Sequence, residues 1–269
     1  MRYFFHIGYN GFQYHGWQRH APHLTIQEVL EENISKVLKT PTTILGCGRT
    51  DAQVHANQYF FHLDVKKEWD FDLIFRLNKM LPEDIAVYDI IQVADDAHAQ
   101  HSATKRTYDY FIHTYKDPFL NRFSSFYPDK KLQLDKMKAA ASLLPKYKDY
   151  KAFCKSPDKY DHTECLVTAA QLFSESKGDK LRIQISSNRF LRGMIRAIVA
   201  KLLKVGKGEI NLDEFENLLI RKKSQPNLEF ADPQGLYLSK VVYPFLDLAP
   251  RTELSPLFQQ KEEKEWQAI

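Results

Sequence analysis

Hydrophobic and polar positions along this chain alternate over short runs, switch to a helical period, and switch back. Tyr3 to Ile7 reads as a strand, ended by the turn-rich Gly8-Tyr9-Asn10-Gly11. Thr25-Ile26-Gln27-Glu28 has the form of a capping box. It opens a helix whose apolar residues Ile26, Val29, Leu30, Ile34, Val37 and Leu38 fall near a 3.6-residue period, with Pro41 as the stop. Strand-like segments recur at 58–65 and 84–93, and Leu73 to Asn78 reads as a helix between them.

Arg106 to His113 puts Tyr108, Tyr110 and Ile112 on one strand face. A change of halves is placed just before it, dividing the chain into residues 1–104 and 105–269, although no Gly/Ser linker marks the spot. In the second half, Leu134 to Leu144 and Arg189 to Val205 read as helices. On the latter, Arg189, Arg192 and Arg196 share one face, and Leu191, Met194, Ile195, Ile198 and Leu202 share the other. Lys180 to Ile185 alternates as a strand, Asn211 to Glu214 caps another helix, and Gly235 to Tyr243 is a closing strand. The charged tail after Pro250 reads as frayed or as a short surface helix. Strands and helices mixed without a βαβ rhythm predict an α+β fold with mainly antiparallel sheet.

A length of 269 residues suits two domains, and 43 % hydrophobic with 27 % charged residues suits an ordinary globular chain. No apolar run approaches the roughly 20 residues needed to span a bilayer, and Met1-Arg2-Tyr3-Phe4-Phe5-His6 enters a strand pattern directly, without the architecture of a signal peptide. Cys47, Cys154 and Cys165 form neither a disulfide framework nor a zinc motif, so three reduced thiols in a cytoplasm are expected. A net charge of +4 permits a polyanionic partner without requiring one.

The densest chemistry lies in Gly48-Arg49-Thr50-Asp51-Ala52-Gln53-Val54-His55-Ala56. One carboxylate stands two residues from a guanidinium in a small-residue turn, and a positive neighbour favours the anionic form. Locally, this fits a surface Arg–Asp pair as well as an active-site loop. Other short motifs follow in order: Tyr9-Asn10-Gly11 with Gly16-Trp17-Gln18; Leu77-Asn78, Leu81-Pro82 and Asp84-Ile85; Ala97-His98-Ala99 with Ser102-Ala103 and Arg106-Thr107-Tyr108-Asp109-Tyr110; Asn188 to Arg196; and Gly235-Leu236 with Val242-Tyr243. Over roughly residues 3–245 this series resembles the TruA family of tRNA pseudouridine synthases.

The resemblance implies a pseudouridine synthase fold: two mixed, mainly antiparallel sheet halves flanked by helices, with a central RNA-binding cleft. It implies a uridine isomerase that acts on the tRNA anticodon stem-loop, roughly positions 38–40, as a cytoplasmic homodimer. By matching position, Asp51 is the reacting carboxylate, Arg196 its charge partner, and Tyr108 the aromatic that stacks on the target base. Arg49, Arg19, Arg106, Lys105, Arg189 and Arg192 are candidate RNA contacts, with His20, Lys201, Lys204 and Lys207 further out. An isomerisation needs no redox cofactor, nucleotide or metal, and the chain carries no dinucleotide fingerprint, P-loop or convincing metal cluster. His55 reads as structural, and Cys47 with His55 lacks the third orienting group of a thiol protease.

Several positions depart from the family pattern. Gln53 stands where the family has glycine, Gln100-His101 replace Arg-Phe, and Thr163-Glu164-Cys165 lacks a usual arginine. They motivate an alternative, a diverged paralogue that binds or modifies another structured RNA. A nucleoside glycosidase is a third reading. It would need a second carboxylate about 5–10 Å from Asp51, and the basic character of 189–196 opposes it.

Overall fold

The computed structural model describes residues 1–129, 131–175, 178–251 and the backbone of 267–268. The tail predicted beyond Pro250 lies almost wholly outside them. The chain divides into two compact units, with a break between Thr104 and Lys105; the segment that begins at Tyr237 returns to the first.

In the first unit, β1 (Arg2–Tyr9) is followed by α1 (Ile26–Leu38), β2 (Leu45–Gly46), β3 (His55–Asp64), α2 (Leu73–Met80) and β4 (Ile85–Val93). β1 is the central strand, antiparallel to β3 on one side (Phe5 opposite Phe61) and to β4 on the other (Phe4 opposite Ile91). The predicted turn starts two residues late, because Gly8 and Tyr9 still pair with Ala86 and Ile85. The Thr25 side chain caps α1 by accepting the Glu28 N–H. The helix closes at Leu38 with Lys39 in the left-handed region at φ +52°, so Pro41 follows the stop and does not make it. α2 packs on α1 and on β4, burying Leu73 and Leu77. A cluster of rings forms where Tyr243 meets the edges of Phe4 and Phe60 at 5.2 and 5.4 Å.

In the second unit, β5 (Lys105–His113), β6 (Ser125–Phe126), α3 (Leu134–Leu143), β7 (Val167–Ser174), β8 (Lys180–Ser187), α4 (Met194–Lys207) and α5 (Leu212–Arg221) follow in order. β8 lies between β5 and β7, antiparallel to both, with Tyr108 opposite Ile185. α3 packs on α4, α5 and β7, and buries Met137, Ala140, Ala141 and Leu143. Asn211 and Glu214 make a reciprocal capping box on α5. β9 (Leu236–Val242) carries the chain into the first unit, where Tyr237 and Leu238 pair in parallel with His55 and Ala56.

One predicted element is shorter than its pattern. The helix expected from Arg189 begins at Met194. Gly193 sits at φ +71°, a left-handed position that an α-helix cannot pass through, and a Cβ there would run into the Phe230 ring at 2.6 Å. Arg189 and Arg192 therefore precede α4, and the three-arginine stripe on one helix face is corrected to a single helical arginine, Arg196. The apolar face stands, with Met194, Ile195, Ile198 and Leu202 all buried.

Candidate active site and RNA-contact residues

Asp51 lies half-buried in the loop between β2 and β3, which the β1–α1 segment grips from several sides. The Trp17 N–H donates to the Thr50 carbonyl at 3.2 Å and the Gln53 N–H donates to the Tyr14 carbonyl at 3.0 Å. Thr50 Oγ1 bonds the Tyr9 hydroxyl at 2.9 Å, and Val54 closes the turn by donating to the Asp51 carbonyl at 3.2 Å. Tyr14 is itself held by a 2.7 Å bond from its hydroxyl to Asp84 Oδ1. Ring stacking of Trp17 on Tyr59 at 4.1 Å, with a 2.6 Å bond from the Tyr59 hydroxyl to the Gly48 carbonyl, fixes the loop's entry.

Two backbone positions make this grip possible. Gly16 has φ +90°, and a Cβ on it would collide with the Thr50 carbonyl. Gln53 has φ +64°. The position two residues after Asp51 therefore has the conformation a glycine would favour, yet carries a side chain. The motif Tyr9-Asn10-Gly11…Gly16-Trp17 and the Asp51 loop are thus one structural object. The clamping roles of Tyr14 and Trp17 have no signature in residue spacing, since both bond the loop through backbone groups.

His55 is buried, its Nδ1 accepts the Gly11 N–H at 3.1 Å, and its ring stacks on Tyr237 at 4.4 Å. Those contacts make it a structural residue. Burial pushes the Cys154 and Cys165 thiols up, Cys165 to about 12, which keeps both as unreactive thiols.

In the second unit, Tyr108 is buried on β5 and meets the edge of Phe190 at 5.2 Å. Arg106 donates from Nη1 to the Asn188 carbonyl at 3.1 Å, while Lys105 is exposed. Asn188 orders the approach to α4, its Oδ1 accepting the N–H groups of Leu166 and Arg189, both at 2.8 Å. Arg196 is half-buried; its Nε donates to the Ala231 carbonyl at 2.7 Å and its guanidinium lies 5.6 Å from the Phe230 ring centre.

The remaining cations are less alike than their sequence suggests. Arg189 bonds His162 Nε2 at 3.2 Å and lies 5.8 Å from the Tyr160 ring centre, and the Tyr160 hydroxyl accepts the Arg192 N–H at 3.0 Å. Tyr160 and His162 thus join the basic segment, which their distance in sequence conceals. Arg49 and Arg192 are exposed. Arg19 is drawn onto Glu28 and Glu31 at 3.5 and 3.3 Å. Lys204 is paired with Glu229 at 2.7 Å and Lys207 with Asp129 at 2.8 Å. A phosphate would have to displace a carboxylate to reach any of these three.

Among the described residues no helix is long and apolar enough to cross a membrane, and no group of three His, Cys, Asp or Glu side chains is arranged to hold a metal ion.

The comparisons with known proteins give first the class. A family model described as tRNA pseudouridine synthase matches residues 140–244. The chain is also 36 % identical over 246 residues to the tRNA pseudouridine synthase A of Porphyromonas gingivalis, covering 90 % of this chain and 97 % of that protein. It is 38 % identical over 246 residues to the enzyme of that name from Parabacteroides distasonis (90 % and 96 % covered). For Bacteroides fragilis the identity is again 38 % over 246 residues (91 % and 97 % covered). The chain belongs to the tRNA pseudouridine synthase A family.

Proposed function

We propose that this protein converts uridine to pseudouridine in the anticodon stem-loop of tRNA, roughly at positions 38–40, working as a cytoplasmic homodimer. The observation that carries the reading is the likeness, over 90 % of the chain, to relatives named tRNA pseudouridine synthase A. The clamped loop around Asp51 supports it, because a reacting carboxylate must be held to within a fraction of an ångström.

The reaction breaks the N1–C1′ bond of uridine, turns the base, forms a C5–C1′ bond, and moves the C5 proton ultimately to N1, so no atom is gained or lost. In this proposal Asp51 supplies the carboxylate that engages the nucleoside as the glycosidic bond breaks. Arg196 is the guanidinium that keeps that carboxylate anionic and oriented. Tyr108 offers the ring against which the base stacks, a role that suits an extruded nucleotide. Arg49, Arg106, Lys105, Arg189 and Arg192 offset the cost of extruding a stacked base, a few kcal/mol, through phosphate contacts. Arg19 joins them on release from Glu28 and Glu31.

Pseudouridine mapping in tRNA from cells with and without this gene tests the reading. Loss of the modification at positions near 38–40 in the deleted strain is expected, and an unchanged tRNA map with a change in another RNA would favour the paralogue.

A further inference from the structure

Three non-glycine residues have a positive φ among the described residues: Lys39, Lys222 and Gln53. Lys39 and Lys222 are helix C-caps, where a left-handed residue commonly ends a helix. Gln53 ends no helix. It sits at φ +64° two residues after Asp51, its N–H tied to the Tyr14 carbonyl at 3.0 Å. A side chain in this region is strained relative to glycine, and such strain concentrates at functional sites. The clamp explains why the backbone is left-handed here. It does not explain why the residue is glutamine. Among the described residues the Gln53 carboxamide, on a half-buried residue, has no hydrogen-bond partner within the protein. The side chain thus carries a backbone cost without a hydrogen bond among the described residues to offset it.

We infer that the Gln53 carboxamide is a recognition group that hydrogen-bonds the substrate RNA at or next to the reacting uridine. The inference rests on the reading of Asp51 as the reacting carboxylate. A carboxamide offers one acceptor and two donor hydrogens on a neutral group. It can bond a base edge or a ribose hydroxyl without placing a second negative charge beside Asp51. Its short tether to the clamped loop holds it in register with whatever Asp51 engages. This makes Gln53 a specificity-determining residue.

Three substitutions separate the carboxamide from the backbone. Gln53→Gly removes both strain and amide, Gln53→Ala keeps a Cβ at the strained position but removes the amide, and Gln53→Asn restores an amide on a shorter stem. Pseudouridine formation is measured on an anticodon stem-loop RNA and on versions with each nucleotide flanking the target replaced. Gln53→Gly should melt at or above the wild-type temperature. It should nonetheless raise KM about 3- to 10-fold, the loss of one or two neutral hydrogen bonds. Gln53→Ala should raise KM as much, both variants should discriminate less among flanking nucleotides, and Gln53→Asn should recover part of the loss. If Gln53→Gly and Gln53→Ala keep the wild-type KM and the wild-type preferences, the residue is a tolerated side chain and the inference fails, while the isomerase reading stands. If Gln53→Gly alone loses activity, the role is backbone restraint and the inference again fails. A wild-type protein that forms no pseudouridine in any tRNA overturns the isomerase reading itself, and this inference with it.

Discussion

Arg196 and Ala231 are tied to each other in both directions. The Arg196 Nε donates to the Ala231 carbonyl at 2.7 Å, and the Ala231 N–H donates to the Arg196 carbonyl at 3.0 Å. The second bond holds the backbone and the first fixes the stem of the guanidinium, so the side chain leaves α4 in a set direction. Such fixing suits a guanidinium that must meet one acceptor in a set geometry, and the proposed function makes that acceptor the Asp51 carboxylate.

Arg196→Ala should therefore cost far more activity than Arg189→Ala. Under the proposed pairing, losing the hydrogen-bonded partner of the reacting carboxylate costs about 2–5 kcal/mol, against about 0–1 kcal/mol for a peripheral ionic contact. Steady-state kcat/KM of the two variants on the same tRNA measures the difference. Equal losses would make both residues general phosphate contacts.

The grip on the Asp51 loop leads to a second expectation. Gly16→Ala adds a Cβ at φ +90° against the Thr50 carbonyl. It should destabilise the protein by ~1–3 kcal/mol, and it should lower kcat more than tRNA affinity because Thr50 precedes Asp51. Thermal unfolding and single-turnover rates test this. A variant with wild-type melting temperature and wild-type kcat would show that the segment around Gly16 does not position the loop.

Much of the fold is legible in the residues, and the exceptions have physical causes. β1, α1, β5, β8 and α5 follow from alternation and from the caps at Thr25 and Asn211. The start of α4 is misread because Arg189, Leu191 and Arg192 continue the helical spacing, while the single glycine at 193 breaks it. Asp51 stands out by its motif. The grip of Tyr14 and Trp17 on its loop does not, because these bonds run between backbone groups whose partners carry no sequence label. The pairing of Arg189 with Tyr160 and His162 is hidden for a different reason: about one strand pair of sequence separates them, and only the folded β7–β8 hairpin brings them together.

Acid should destabilise the protein through buried imidazoles. Burial, reinforced by the Arg2 and His98 charges, lowers His62 from its ordinary 6.5 to about 4. Its Nδ1 accepts the Ala99 N–H at 3.2 Å, which requires that nitrogen unprotonated. A folded-state value below the unfolded one means that the unfolded chain takes up the proton first. The neutral histidine's contribution is then fully present above pH ~6.5 and is lost as pH falls towards 4. His6, His98 and His113 shift in the same direction, each chiefly by burial. Melting temperatures at pH 7, 6 and 5 should fall, and His62→Gln should flatten part of that fall. An identical pH dependence in the variant would remove His62 from the explanation.

Gln100 tests the electrostatics of RNA binding. It lies exposed in the turn after His98, whose Nδ1 accepts the Gln100 N–H at 3.1 Å. Gln100→Arg should tighten tRNA binding at low salt and steepen the dependence of log K on log [salt] by about 0.7–0.9, one extra phosphate contact. Titrations at several salt concentrations read the slope, and an unchanged slope would mean that position 100 does not face phosphate.

The proposed function has Asp51 carry the isomerisation of tRNA uridine. Its most direct test is pseudouridine formation by purified wild-type and Asp51→Asn protein on anticodon stem-loop RNA, with tRNA binding and melting temperature measured alongside. Asparagine keeps the shape of the side chain and removes the carboxylate. The wild type should form pseudouridine, and Asp51→Asn should form none while folding and binding tRNA nearly as the wild type does. Turnover by Asp51→Asn at a rate close to wild type would contradict that role.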